Sequence, residues 1–285
     1  MILSMTGFGR SEGVFEGKKV TIDIKSLNSK SFDLNIKMPL RYKEKEFEVR
    51  KTLNDRILRG KVDCYINFEN LNVSAEANIN HDLVNTYIQE LKSLAGDGPD
   101  FEYLKMAVRM PEVISTKQEE LNDAEWNFIT GLVEEALQKF ESFRKTEGDI
   151  LHEELKRNIH NIETYLSMVV PYEGVRLEAV KERYLTTLKD FEQIDETRFY
   201  QEMAYYTEKL DISEEKVRLT QHLKYYTEVM KNENYNGKKL GFISQEIGRE
   251  INTLGSKANH AEIQKLVVMM KDDLEKIKEQ TLNVL

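Results

Sequence analysis

Apolar side chains alternate with polar ones up to about residue 75, then recur at spacings of three and four beyond about residue 120. Val20, Ile22 and Ile24, followed by Phe32, Leu34 and Ile36, form the every-second-residue stripes of half-buried strands, and Lys61 to Phe68 resumes the alternation. An N-terminal strand ends in a turn near Glu16-Gly17, and Asn28-Ser29-Lys30 reads as a hairpin connection. Between the strands, Tyr42 to Leu58 reads as an amphipathic helix with Phe47, Leu53 and Ile57 inward, and Arg59-Gly60 as its stop. The first unit is thus α+β, an antiparallel sheet with at least one helix.

His81 to Leu94 and Phe101 to Met110 have helical character, separated by the breaker Gly96-Asp97-Gly98-Pro99. From Leu121 to Val169 the chain lacks proline and keeps Leu132, Leu137, Phe140, Ile150, Leu155, Ile159 and Ile162 at helical spacing, with Gly148 as the place for a break. Pro171 ends that run, and helices are expected near 173–191, 197–210, 213–234, 238–254 and 259–284. The organisation expected is an α+β domain over 1–118, a long helical linker or hairpin over 119–195, and a mostly α C-terminal domain over 196–285. Long amphipathic helices need partners, either each other or another subunit.

Composition changes this picture in two ways. The formal charge of −9 over 285 residues argues against a uniformly basic nucleic-acid binder. Residues 1–70, however, carry 14 basic and 10 acidic side chains, and the remainder 27 basic and 40 acidic, so the charge is polarised. Arg41, Lys43, Lys45, Arg50, Lys51, Arg56, Arg59 and Lys61 crowd one helix and its flanks. They suit either a phosphate backbone or a solvated helix face paired to Glu44, Glu46 and Glu48. The single cysteine, Cys64, excludes an intrachain disulfide and fits a reducing cytoplasm; no segment reads as a signal peptide or membrane span.

Several chemistries fail on their motifs. Arg59-Gly60-Lys61-Val62 lacks the Ser or Thr and the upstream glycine of a phosphate loop, and His152-Glu153-Glu154-Leu155-Lys156 lacks the second histidine of a zinc-protease helix. Thr6-Gly7-Phe8-Gly9 lacks the third glycine of a dinucleotide fingerprint, and a nucleophile elbow is missing.

Carboxylates, histidines and arginines remain, in two C-terminal clusters. Glu246 and Glu250, one helical turn apart with Arg249 beside them, can hold a hard divalent cation through oxygen ligands, or can be an ordinary acidic helix face. Asp211 and Glu214 form a capping-box pattern, and Glu214, Arg218 and His222 follow at steps of four. His222 suits a metal ligand, a proton donor near neutral pH, or a surface ion pair.

These residues resemble the bacterial YicC/YloC family of endoribonucleases. The likeness rests on Met5-Thr6-Gly7-Phe8-Gly9-Arg10, Ser26-Leu27-Asn28-Ser29-Lys30 with Phe32-Asp33-Leu34, and Arg59-Gly60-Lys61. Toward the C-terminus it rests on Lys209 to Glu215 with Arg218-Leu219 and His222, Gly237-Lys238-Lys239-Leu240, and Gln245-Glu246 with Arg249 to Lys257. The chain departs from the family pattern at Gly241, Gly248, His260 and Leu285.

The resemblance implies a cytoplasmic, metal-dependent endoribonuclease of bacterial RNA turnover, using Mn or Mg and assembling as a ring-like homo-oligomer, a hexamer, without a membrane. With the carboxylate spacing, it suggests that Glu246 and Glu250, joined by Asp211 and His222, place the ion, and that Arg249 and Arg218 stabilise charge on the phosphoryl oxygens. Arg10, Lys30, Arg41, Arg59, Lys61 and Lys257 would meet the RNA backbone. A non-catalytic RNA-binding adaptor is the alternative from another class, and a helical scaffold without RNA affinity a third.

Overall fold

The computed structural model describes residues 2–29, 31–71, 77–96, 98–116, 122–188, 196–232 and 236–285. β1 (Gly7–Phe15) and β2 (Lys18–Leu27) form a hairpin whose two turn residues, Glu16 and Gly17, both take positive φ (47° and 78°), the conformation a two-residue hairpin requires. β3 (Phe32–Lys37) leads through a 3-10 turn, Leu40–Lys45, and helix α1 (Glu46–Arg56) into β4 (Gly60–Asn70). The sheet order is β1-β2-β4-β3, with β4 antiparallel to β2 and parallel to β3.

Three expectations change here. The sheet is mixed rather than antiparallel, and residues 28–30 do not close a hairpin, because β4 lies between β2 and β3; Lys30 itself is outside the described residues. A strand followed by a helical crossover returns parallel to its start, and that is the β3–α1–β4 path. Phe47 does not point inward. The inner stripe of α1 is Val49 and Leu53, continued by Ile57, and Phe47, two residues before Val49, is 75% exposed. Gly60, at φ 118°, lies beyond the helix end and opens β4.

A small satellite pairs β5 (Ala77–Ile79) with β6 (Ile114–Thr116) beside α2 (His81–Ala95) and α3 (Asp100–Ala107), around Val84, Ala107 and Val113. Helix α4 (Asp123–Val169) follows, 47 residues without a break and so about 70 Å long. Its first half, Trp126 to Phe140, covers one sheet face and completes the core with Ile22, Ile24, Leu53 and Ile66. Its second half, Leu151 to Val169, enters a separate core with α7 (Ser213–Asn232), α8 (Gly237–Ala258) and α9 (Ala261–Thr281). Gly148 is a contact site rather than a break: a Cβ there would lie 2.2 Å from the Ile2 carbonyl oxygen.

Both chain ends meet at this midpoint of α4. The Leu285 N–H donates to Leu3 O at 2.9 Å, Met5 N–H to Asn283 O at 2.8 Å, and the buried Arg144 guanidinium to Met5 O, Ser26 Oγ and Arg59 O. Helices α5 (Tyr172–Leu188) and α6 (Glu196–Leu210) complete the C-terminal part. Of the boundaries expected at 118/119 and 195/196, residues 118, 119 and 195 lie outside the described residues. Among the described residues, no helix is long and apolar enough to cross a membrane.

Candidate functional site

α7 and α8 pack side by side as an antiparallel hairpin through a shared apolar core, and one ion pair marks their register. Lys257 Nζ of α8 lies 2.7 Å from Glu215 Oε1 of α7. His222 stands seven residues beyond Glu215, and Glu250 seven residues before Lys257. Seven residues are close to two turns and about 10.5 Å of rise, so each residue keeps its stripe. The pair therefore brings His222 level with Glu250 along one seam. Glu246 lies one turn further on the same edge of α8, and the three side chains are half-buried.

The same geometry separates other members of the expected set. Asp211 precedes α7, eleven residues from His222, or about 16 Å along the helix axis. Its Oδ1 accepts the Ser213 backbone N–H at 3.0 Å, and the Ser213 hydroxyl and N–H hold its carboxyl below the usual range. Glu214 does not return to complete a capping box, because it pairs with Arg218 on the exposed side of α7. Arg249 pairs with Glu246 at 2.7 Å, with its own side chain 73% exposed.

Among the described residues, no three His, Cys, Asp or Glu side chains converge on one point. The seam thus lacks the closed protein cage of a structural metal site. The two carboxylates and the imidazole are spread along an open edge of the helix pair rather than gathered round one point.

The basic residues divide sharply. Arg41 pairs with buried Glu125, which also accepts the Tyr42 hydroxyl at 2.6 Å. Lys43 and Arg50 share Glu46, Lys45 takes Glu48, and Arg56 spans Glu134 and Glu141 of α4. Most of the α1 cluster is thus neutralised by carboxylates. Arg59 Nε donates to Ser29 O at 3.0 Å, and Arg10, exposed on β1, lies 3.9 Å from Asp23 and 3.8 Å from Glu12. Lys61 is exposed on β4 and makes no ion pair among the described residues. Lys257 is committed to Glu215.

Two buried cations, Arg144 of α4 and Arg176 of α5, each 5% exposed, lie outside the sequence-level candidates. The signal for Arg176 is an arginine standing in the apolar stripe Tyr172–Arg176–Val180. Residues 2–153 match the family described as "Endoribonuclease YicC-like, N-terminal region", and residues 169–285 match "Endoribonuclease YicC-like, C-terminal". The chain is 36% identical to a protein of Clostridioides difficile (strain 630) and 30% identical to one of Haemophilus influenzae (strain ATCC 51907 / DSM 11121 / KW20 / Rd). Each match covers all of both chains, and both relatives are named "Probable endoribonuclease YicC".

Proposed function

From a chain that belongs to the YicC-like endoribonuclease family, we propose an enzyme that cuts RNA internally and needs a divalent metal ion to do so, acting in bacterial RNA turnover. The observation that carries the metal-site assignment is the Glu215–Lys257 pair, which marks His222 as level with Glu250 and one turn from Glu246. Glu246, Glu250 and His222 would hold a Mg or Mn ion. Such an ion, when bound, supplies Lewis-acid contact to a phosphate oxygen and lowers the pKa of a coordinated water. Arg249, on the exposed face beside Glu246, is placed to approach the non-bridging phosphate oxygens, where charge develops. Arg218, one turn before His222 on α7 and paired to Glu214, would add a second guanidinium. Lys61 and Arg10 on the sheet domain supply backbone contacts away from the seam.

The proposal extends to a cytoplasmic ring-like homo-oligomer, a hexamer. Its support is the large apolar side chains left uncovered in one chain, including Leu94 at 82% and Phe101 at 64% exposed. Sedimentation of the purified protein tests that assembly.

The test of the activity is cleavage of a labelled hairpin RNA with Mn or Mg, with and without EDTA, by the wild type and by the double variant Glu246→Gln, Glu250→Gln. Cleavage that chelation abolishes and the double variant lacks is the expected result. Unchanged metal-dependent cleavage by the variant sinks the assignment of roles. The adaptor reading is favoured by one observation, the missing three-ligand cluster among the described residues, and predicts RNA binding without cleavage in that assay.

A further inference from the structure

α1 and α4 cover one face of the four-stranded sheet, and the other face lies open to solvent. On β1 the open side carries Phe8, Arg10, Glu12 and Val14, all exposed. Strand register extends that side across the sheet. Phe8 stands opposite Lys25, Lys25 opposite Asp63 and Asp63 opposite Asn35, while Arg10, Asp23, Tyr65 and Lys37 form the next row.

Two aromatic rings therefore sit on the solvated side of the pleat, where alternation favours polar groups. Phe8 is 39% exposed and Tyr65 half-buried. They are two strands and two residues apart, about 12 Å by the usual strand spacing and rise. That is too far for the rings to stack on each other, so each can serve a separate partner. Each ring also carries a lysine. Lys25 Nζ lies 5.5 Å from the Phe8 centroid and Lys37 Nζ 5.4 Å from the Tyr65 centroid. Neither ammonium has an ion pair among the described residues. An exposed cation–π contact is weaker than a stacked base, so a base can take the ring and leave the lysine to the adjoining phosphate.

The face as a whole is not positive: five carboxylates share it with five cations. Glu12 pairs with Lys19 at 3.0 Å, Asp23 lies 3.9 Å from Arg10, and Asp63 accepts the Asn35 Nδ2 at 2.9 Å. This balance decides between two forms of nucleic acid. A duplex presents chiefly phosphates and would set them against the carboxylates. A single strand presents its bases as well, which stack on aromatic rings and whose amino groups donate to carboxylates. Asp63 stands in the row of Phe8 and Asp23 in the row of Tyr65.

We infer that this face is a stacking platform for an unpaired segment of RNA: Phe8 and Tyr65 each take a base, Lys25 and Lys37 the phosphates beside them, and Asp63 and Asp23 amino groups on the base edges. The inference rests on the RNA-cleaving reading for the class of polymer and adds which form of it the sheet holds.

The experiment uses the full chain in EDTA, so that binding is read without cleavage. Fluorescence anisotropy compares a labelled, unstructured oligoribonucleotide with the same strand annealed to its complement, across a salt series. The single strand is expected to bind about tenfold or more tighter than the duplex. Phe8→Leu and Tyr65→Leu should each weaken it about tenfold and leave the salt slope unchanged, because a stack and not a phosphate contact is lost. Phe8→Tyr should retain binding. Lys25→Gln and Lys37→Gln should each reduce the slope by about 0.7. All these side chains are on the solvent face, and thermal melts confirm that the variants fold. A duplex bound as tightly as the single strand overturns the platform. So does unchanged single-strand affinity in the Phe8→Leu, Tyr65→Leu double variant; if that variant also sediments differently, the face is an interface with a second copy. A chain that holds single strands in this way but cuts nothing would sink the nuclease reading and leave the platform standing.

Discussion

Lys257 of α8 and Glu215 of α7 form an ion pair at 2.7 Å in which the glutamate side chain is only 6% exposed and the lysine 32%. The second oxygen of Glu215 is buried with no partner of its own, so Lys257 is the main compensation for a buried charge. Lys257→Ala should destabilise the protein by roughly 1–3 kcal/mol, the usual cost of stranding a buried polar group. Replacing both residues by apolar ones of similar size should recover much of that loss. Urea unfolding of the single and double variants reads the difference.

The same pair marks the register of the seam, which predicts an order of effects on cleavage. Glu250→Gln should lower the metal-stimulated rate by about 10²-fold or more, the scale seen when a group stabilising transition-state charge is removed. Asp211→Asn, about 16 Å from His222, should leave the metal concentration for half-maximal cleavage unchanged. A metal titration of the two variants decides it, and a shifted midpoint in Asp211→Asn would contradict the separation of the two sites.

The two glycines of α4 should respond oppositely to alanine. At Gly148 a Cβ would sit 2.2 Å from the Ile2 carbonyl oxygen and 3.0 Å from Leu3 Cα, so backbone must move. Gly148→Ala should cost at least about 2 kcal/mol, in the range of overpacked cores. Gly131 has nothing within 4 Å of the added carbon, so Gly131→Ala should stabilise by up to about 1 kcal/mol through helix propensity alone. Thermal melts of the two variants check both signs.

Cys64 is fully buried, and burial, reinforced by Asp23, pushes its thiol up to about 12. In the unfolded chain a thiol ionises near about 8.5. Between those values the unfolded state has lost the proton and the folded state has kept it. Stability should therefore fall as pH rises above about 8.5, with this group contributing up to about 1.4 kcal/mol per unit. Cys64→Ala should show a shallower decline over the same range in denaturant midpoints. Thiol-reactive dyes should label the wild type only at the rate of unfolding.

Lys61 and Arg41 should separate RNA contact from fold support. Lys61→Ala should weaken RNA binding and reduce the slope of log affinity against log salt by about one, as loss of one phosphate contact does. Arg41→Ala should leave that slope unchanged and instead lower stability, because it strips an ion-pair partner from buried Glu125. Binding measured across a salt series, with parallel melts, tests both.

The kinds of elements were legible in the sequence, and their arrangement was not. Alternation marked β2, β3 and β4, the Glu16-Gly17 turn marked the end of β1, and three-and-four spacing marked α4 and α7 to α9 within a few residues of their ends, because such signals report which face of a segment avoids water and depend on near neighbours only. The same neighbour-level signal could not insert β4 between β2 and β3, turn Phe47 outward, or make Gly148 a seat for Ile2 instead of a break. Charge behaved likewise. Arg41 and Glu125 lie 84 residues apart, and Arg56 meets Glu141 across 85, so whether a basic helix faces phosphate or carboxylate is settled only once α4 lies against α1. Glu246 and Glu250 were visible one turn apart on α8, and His222 was visible on α7. Bringing His222 to the level of Glu250 while removing Asp211 needed the Glu215–Lys257 contact, a pairing of side chains on two helices that no local pattern encodes.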